Sequence, residues 1–471
     1  MTQVHPRDER RAAYDAFLQT YPEYAETSVL DDLRTREFGR LDDLGQVYLD
    51  YTGAGLYAVS QIQRHGAMLA SGVFGNPHSD NPPSTASTEL IESCRRRVLR
   101  FFNAPPDVYS VVFTGNASQA LKLVGEAYPF ESGDQFLLTF DNHNSVNGIR
   151  EFDRAHGART RYIPVLPPDL VADDSTVEGY LQARVPGSHN LFAFPAQSNF
   201  SGVQHPLRWV ALAQDLGWDV LVDAAAFVPT NRLDLSTCQP DYVALSFYKM
   251  FGYPTGVGAL IARKDALDKL RRPWFSGGTI SVATVQGDGH FMSIGSEAFE
   301  DGTVDYLNIP AVEFGLDVME SIGVSVIHER VRCLSEWLIS ELLAIRHPNG
   351  RRLVRLYGPV TTRRRGGTLA FNFCDAAGAV IDHQKVEGRA GRQGIALRTG
   401  CFCNPGAGEV ALGLSEDELT RCFGGPEERM NRDDLIRCID ADAGGAVRVS
   451  VGLASNFSDV HRFITFAREF L

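Results

Sequence analysis

The chain has 471 residues, 44% of them hydrophobic and 22% charged, which is enough for two domains with substantial cores. Its net charge of −13 argues against nucleic acid or an anionic membrane surface as the main partner. No apolar run approaches the roughly 20 residues of a bilayer span, and the charged first residues lack a signal-peptide core, so a cytoplasmic protein is expected.

In chain order, residues up to about Leu44 form a helical arm, and a short strand then breaks into a glycine turn over Val47–Gly55. A helix is expected over Ser60–Ser71, loops over 75–79 and 81–84, and a long helix over Thr85–Phe102 with Arg95, Arg96, Arg97 and Arg100 on its wet face. Strands and helices then alternate. Strands are predicted at Tyr109–Thr114, Gln135–Phe140, Thr160–Val165, Asn190–Pro195, Asp219–Val222 and Tyr242–Ser246, with a further apolar run at Ala259–Ala262. The intervening helices are Ser118–Ala127, Val146–His156, Ser175–Ala183 and Pro206–Leu216. This is the pattern of a mainly parallel sheet covered on both faces, which collects ligands at the carboxyl ends of its strands. Long helices at Ile309–Ile322 and Ser325–Ile345 lead into a smaller α+β domain with strands near Gly367–Phe373, Ile395–Thr399 and Val447–Val451 and helices around Asp382–Gln393 and Ser458–Phe470. The expected division is a helical arm at 1–45, a large domain at 46–310 and a small C-terminal domain at 311–471.

Only five of the 45 basic residues are lysines, and Lys249 alone lies among apolar and aromatic neighbours, between Tyr242–Ser246 and a glycine-punctuated turn. A desolvated lysine has a lowered pKa and a nucleophilic amine, as a Schiff-base lysine holding pyridoxal phosphate (PLP) requires; the ordinary alternative is a stem on an apolar surface with its head in water. Several strand ends carry polar groups suited to that cofactor. Gly115-Asn116-Ala117-Ser118 opens a helix and offers an anion site, or a plain N-cap. His143 could stack on a ring, or simply hydrogen-bond in its turn. Asn199 could contact a phenolic oxygen, or form a turn. Asp223 directly ends an apolar strand and needs a cationic partner, for which a protonated pyridine nitrogen serves, or it caps the next helix. Arg448 lies within an apolar strand and wants a carboxylate, from substrate or from the chain itself. Arg398 precedes Cys401 and Cys403 in a stretch expected to be a mobile glycine-rich loop, where an arginine lowers a thiol pKa. One-residue spacing is poor for a metal, and none is expected. All eight cysteines are expected as reduced thiols.

Taken jointly, seven segments resemble the class V aminotransferase group of fold type I PLP enzymes, within it the cysteine desulfurases and the desulfurase-like N-terminal domain of molybdenum cofactor sulfurases. They are Tyr48–Asp50, Phe113–Ser118, Asp141–His143, Ser246–Gly256, Phe299–Thr303, Arg398–Ala407 and Val447–Ser450. The resemblance implies an α/β fold with a mainly parallel seven-stranded sheet and a smaller α+β C-terminal domain. It implies that Lys249 binds PLP, Asp223 pairs with the pyridine nitrogen, His143 stacks on the ring and Asn199 contacts its hydroxyl. Asn116, Ala117, Ser118 and Ser246 would hold the phosphate, and Thr303 would reach a neighbouring subunit's phosphate in a homodimer. Arg448, with Arg398 nearby, would bind the carboxylate of an amino-acid substrate, L-cysteine or a sulfur-containing derivative. Cys403 matches the persulfide-forming cysteine, which would yield alanine and pass sulfur to an acceptor protein or cofactor. The alternative within the group is a PLP-dependent C–S lyase or a decarboxylating, aldol-type or transaminating enzyme. The family often has a further cysteine just after Ala407, where this chain has Gly408.

Overall fold

The computed structural model describes residues 6–77, 79–423, 430, 434, 438 and 444–471. His78, in the loop expected over 75–79, lies outside the described residues. A seven-stranded sheet runs in the order Tyr109–Thr114, Gly258–Arg263, Tyr242–Ser246, Asp219–Asp223, Asn190–Pro195, Gln135–Thr139, Arg159–Ile163. The last five are parallel to one another, and Gly258–Arg263 runs antiparallel to both its neighbours. Every residue of Gln135–Thr139, Asn190–Pro195 and Tyr242–Ser246 is buried, as a sheet covered on both faces demands. The expected mainly parallel α/β architecture is the one observed.

A second, four-stranded antiparallel sheet has the order Val354–Tyr357, Thr368–Phe373, Ala446–Ser450, Arg398–Gly400. Its core gathers Leu369, Phe371, Val447 and Val449 with Leu334 and Leu338 of the helix Val324–Ala344 and Phe463 of the helix Phe457–Arg468. Phe17 and Tyr24 of the N-terminal segment are buried in the same cluster. The strand expected over Ile395–Thr399 divides: Ile395–Ala396 pairs in parallel with Val47–Tyr48, and Arg398–Gly400 joins the four-stranded sheet. An isolated parallel bridge, Asp50 to Ser450, continues that seam toward the carboxyl ends of the large sheet.

Four local expectations are corrected. The loop at 81–84 is a helix start: Asn81 accepts the Ser84 N–H at 3.2 Å and prolines fill the first turn of Pro82–Phe101. The helix expected over Val146–His156 is two short ones, Asn144–Asn147 and Arg150–Ala155. Arg95 is buried, not wet; it pairs with Glu300 at 2.9 Å, and Glu300 also accepts the Phe113 N–H. Cys422 and Cys438 form a disulfide, so the expectation of eight reduced thiols fails for this pair, which sixteen residues of sequence separation hid. Sequence reading also missed the antiparallel hairpin Ile280–Thr284 with Gly289–Met292, whose side chains are largely exposed. No described helix is long and apolar enough to cross a membrane.

Candidate active site

Lys249 is presented by a short helix that the core fixes from one side. The strand Tyr242–Ser246 ends directly in the helix Phe247–Phe251, whose Phe247, Met250 and Phe251 are buried. The Phe251 ring occupies the place of a missing side chain on Gly315, where a Cβ would meet it at 2.0 Å. Gly252 closes the helix at φ 78°, and a Cβ there would lie 2.3 Å from the Tyr57 nitrogen, so only glycine fits. Lys249 is half-buried, and among the described residues none accepts a hydrogen bond from its amine. The glycine turn expected directly after Lys249 begins only at Gly252.

Asp223 ends the adjacent parallel strand, in register with Ala244. Its Oδ1 accepts the Ala225 N–H at 3.0 Å, and no described cation is paired with it. His143 caps the turn after Gln135–Thr139, its Nδ1 accepting the Ser145 N–H at 3.1 Å. Electrostatics join these groups. Burial pushes the Lys249 ammonium pKa down; Asp223 opposes this, Arg448 and Arg398 add to it, and Cys403 opposes it. Burial also pushes His143 down, against Asp223 and reinforced by Lys249 and Arg448. Residues from five separate stretches of chain thus act on one another's charge.

Arg448 is buried in the strand Ala446–Ser450. Its Nη2 donates to Asp50 Oδ1 at 3.0 Å and its Nη1 to the Asn199 carbonyl at 2.8 Å. The guanidinium lies 4.7 Å from the centre of the Phe402 ring, and its buried Nε has no partner among the described residues. Burial pushes this arginine's pKa down, with Asp50 holding against it. Asp50 also accepts from Nη2 of Arg398 at 2.6 Å. In sequence Asp50 stood only within the Tyr48–Asp50 segment of the family resemblance, with no role given to it. Its role comes from the register pairing Arg398 with Arg448, which sets two guanidinium groups side by side and calls for a carboxylate between them.

The cysteine turn contradicts the expected mobile loop. Cys403 is exposed, and both it and Phe402 adopt left-handed backbone, φ 55° and 54°, which is uncommon without glycine. Hydrogen bonds hold that conformation. The Asn199 Nδ2 donates to the Phe402 carbonyl at 2.6 Å, the Asn144 N–H to the Cys403 carbonyl at 2.7 Å, and the Asn404 Nδ2 to the Asp141 carbonyl at 2.6 Å and to Asn199 Oδ1 at 3.0 Å. Asn404 also caps the helix Pro405–Leu412 through the Ala407 N–H. The glycines serve close packing: a Cβ on Gly406 would lie 2.0 Å from the Phe140 carbonyl oxygen, and one on Gly408 would lie 3.3 Å from the Cys401 sulfur. Asn199 spends its side-chain amide on this turn. Asn404 was missed, although Asn-Pro after the cysteines is a legible helix start.

At the other end of the site, Asn116 caps the helix Ala117–Ala127 by accepting the Gln119 N–H at 3.0 Å. Ser246 Oγ accepts the Ala117 N–H at 2.8 Å, and the Ser118 and Ser145 hydroxyls pair at 2.5 Å. Asn116, Ala117, Ser118 and Ser246 therefore meet at one helix N-terminus. Thr303 stands apart on the exposed side, 3.4 Å from Asn76 Oδ1, lining a cavity of about 270 Å³ with Thr114, Gly115 and Gln119. Taken together, these residues fit PLP: an amine without an acceptor, a buried carboxylate without a cation, an imidazole and a helix N-terminus suit an aldehyde, a ring nitrogen, a ring face and a phosphate.

The chain is similar to known proteins in sequence and in fold. The chain is 38% identical over 470 residues to a molybdenum cofactor sulfurase of Solanum lycopersicum, an alignment covering 93% of this chain and 57% of that one. The chain spans little more than half the length of the curated relatives it matches. A cysteine desulfurase of Thermococcus onnurineus NA1 shares the fold at a TM-score of 0.76 and 22% identity, over 93% of this chain and 97% of that one. So does the cystine C–S lyase C-DES, solved with its product cysteine persulfide, at 0.67 and 18% over 90% and 98%. The model of the family described as aminotransferase class-V matches residues 47–463, and the chain belongs to that family.

Proposed function

We propose that the protein is a PLP-dependent cysteine desulfurase-like enzyme that converts L-cysteine to L-alanine and passes the sulfur through Cys403 to an acceptor. The observation that carries this reading is that Asn199 ties the buried Arg448 to the turn of Cys403, its carbonyl accepting from Arg448 at 2.8 Å and its amide donating to Phe402 at 2.6 Å, with these groups acting on the charge of Lys249. When bound, PLP supplies an electron sink for the substrate Cα. Asp223 would keep the ring nitrogen protonated, and His143 would lie against the ring. The Lys249 amine, with its lowered pKa, takes the Cα proton and later returns one. Arg448 offers its unpartnered Nε to the substrate carboxylate. The Cys403 thiolate attacks the substrate sulfur: an S–S bond forms, the substrate C–S bond breaks with its electron pair going to carbon, and protonation gives alanine. The persulfide sulfur then leaves for an acceptor, a partner protein or a cofactor, as the names of the curated relatives suggest. Single-turnover alanine release tests the reading: a Cys403→Ser variant is expected to lose it, and undiminished release would reject the persulfide step.

The same reading makes the enzyme a homodimer. The hairpin Ile280–Met292 and its flanks expose Trp274, Val282, Val285, Phe291 and Ile294, an apolar surface that favours cover by a second copy. Light scattering giving a monomer mass would overturn this.

A second reading, a PLP-dependent C–S lyase or a decarboxylating, aldol-type or transaminating enzyme, is favoured by one observation. The cysteine turn is tied to Asn144, Asn199 and Asp141, whereas a sulfur carrier must move its sulfur away from the site. This reading predicts turnover without alanine and with Cys403 dispensable.

A further inference from the structure

The 33 residues between Glu341 and Asp375 contain seven arginines and no acidic residue, in a chain whose net charge is −13. Five of them, Arg346, Arg351, Arg352, Arg355 and Arg363, are exposed. Among the described residues none of the seven makes an ion pair with a carboxylate, although most other arginines of the chain do. Arg346 and Arg351 donate only to backbone carbonyls. Unneutralised like charges this close repel one another, which a chain free to vary its surface relieves with acids.

The backbone beneath them is also unfinished. Val354–Tyr357 is the edge strand of the four-stranded sheet, paired with Thr368–Phe373 on one side only; Arg365 holds the Tyr357 carbonyl and Gly358 donates to the Pro168 carbonyl at 3.0 Å, which leaves residues 354–356 as the open stretch. Arg346 and Arg352 face each other across an isolated antiparallel bridge at its start. A cavity of about 430 Å³ runs along the edge, lined by Arg351, Arg352, Arg355, Leu356 and Val360, with Asp169 as its one carboxylate. An open edge strand offers a ladder of N–H and C=O groups, and native proteins normally block it. Here the flanking charge is of one sign, which selects an occupant instead of merely repelling strands.

We propose that this edge is a docking site for an extended acidic segment of a partner protein, which adds a strand to Val354–Tyr357 and places its carboxylates against Arg351, Arg352 and Arg355. The strand geometry favours a polypeptide over nucleic acid, and the acidic remainder of the surface disfavours a long polyanion. The edge strand is linked to the cysteine turn through packed rings: the Tyr357 ring centre lies 6.3 Å from that of Phe200, which lies 5.3 Å from that of Phe402. Binding at this edge is independent of the desulfurase reading.

The test uses the full chain and a fluorescein-labelled peptide of alternating Glu and Val, about ten residues long, followed by anisotropy. Saturable binding is expected, weakening as salt rises from about 0.05 to about 0.5 M. The variant Arg351→Glu/Arg352→Glu/Arg355→Glu should bind roughly tenfold more weakly or worse, and should instead capture a Lys–Val peptide, which rules out misfolding as the cause. The same acidic peptide with alternate prolines cannot form a strand ladder and should not bind. Equal binding by the proline peptide, equal binding by the triple variant, or tighter binding of an oligodeoxynucleotide of matched charge would each overturn the proposal.

Discussion

The Asp50 carboxylate, which arrives on a segment about 400 residues earlier in the chain, accepts a hydrogen bond from Nη2 of Arg448 at 3.0 Å. Through its other oxygen it also takes Arg398 at 2.6 Å. One acid thus neutralises two guanidinium groups at the place where an incoming substrate carboxylate is proposed to bind.

Removing that acid strands a buried charge. Asp50→Ala is expected to cost about 3–5 kcal/mol of stability, measured by urea unfolding, whereas Asp50→Asn, which keeps an acceptor, costs less. Pairing Asp50→Ala with Arg448→Met should recover much of the loss. No loss in the single variant would mean that the pair does not stabilise the fold.

Lys249 is expected to destabilise the cofactor-free fold at neutral pH. Burial lowers its pKa in the folded state, so the unfolded chain binds the proton more tightly. The cost is full below the folded pKa, shrinks as pH rises through the window up to the ordinary lysine value, and vanishes above it. Lys249→Met should therefore raise the melting temperature at pH 7 by about 1–2 °C, with the gain shrinking as pH rises through that window. A lower melting temperature would show that the lysine is satisfied. Asp223→Asn, which removes the opposing charge, should shift reaction of the Lys249 amine with an aldehyde probe to lower pH.

Gly406 distinguishes a packed turn from a flexible one. Glycine to alanine inside an exposed helix normally gains about 0.5–1 kcal/mol. Gly406→Ala instead drives a methyl into the Phe140 carbonyl and is expected to destabilise by about 2 kcal/mol or more. Thermal unfolding decides, and hydrogen exchange over residues 401–408 should rise in the same variant.

The cysteines differ in reach. Burial pushes Cys238 up to about 11 and Cys333 up to about 12, and raises Cys94 and Cys374 as well. Cys403 is exposed in its turn. Iodoacetamide at about pH 8 should therefore modify Cys403 at least about tenfold faster than those four, as peptide mapping over time would show. Prior modification of Cys333 would contradict the burial that the fold gives it.

The alternation of strands and helices, the parallel sheet and the positions of Lys249, Asp223 and His143 at strand ends were legible because each rests on local periodicity and on one residue out of keeping with its neighbours. Cys403 was legible as a candidate, but its setting was not. Glycines at 406 and 408 read as flexibility, and only the contacts with Phe140 and Cys401 show that they are there to let backbones approach. Arg95 read as solvated because its partner, Glu300, lies 205 positions away. The edge strand with its unpaired arginines was overlooked because the sequence does not say which strand of a sheet lies outermost.

By itself the sequence determined which residues could do chemistry, since a lysine among aromatics or an aspartate after an apolar strand carries its oddity within a few positions. Only the tertiary structure decided how those residues are held. Whether Asn199 serves a ring hydroxyl or a peptide carbonyl, and whether Arg448 waits for substrate or already grips Asp50, depends on long-range register, because a buried charge or amide takes whichever partner the packing brings within about 3 Å. The stretch around Lys249 announced itself, but the grip on Cys403 required Asp141, Asn144, Asn199 and Asn404 to converge from three distant segments of chain.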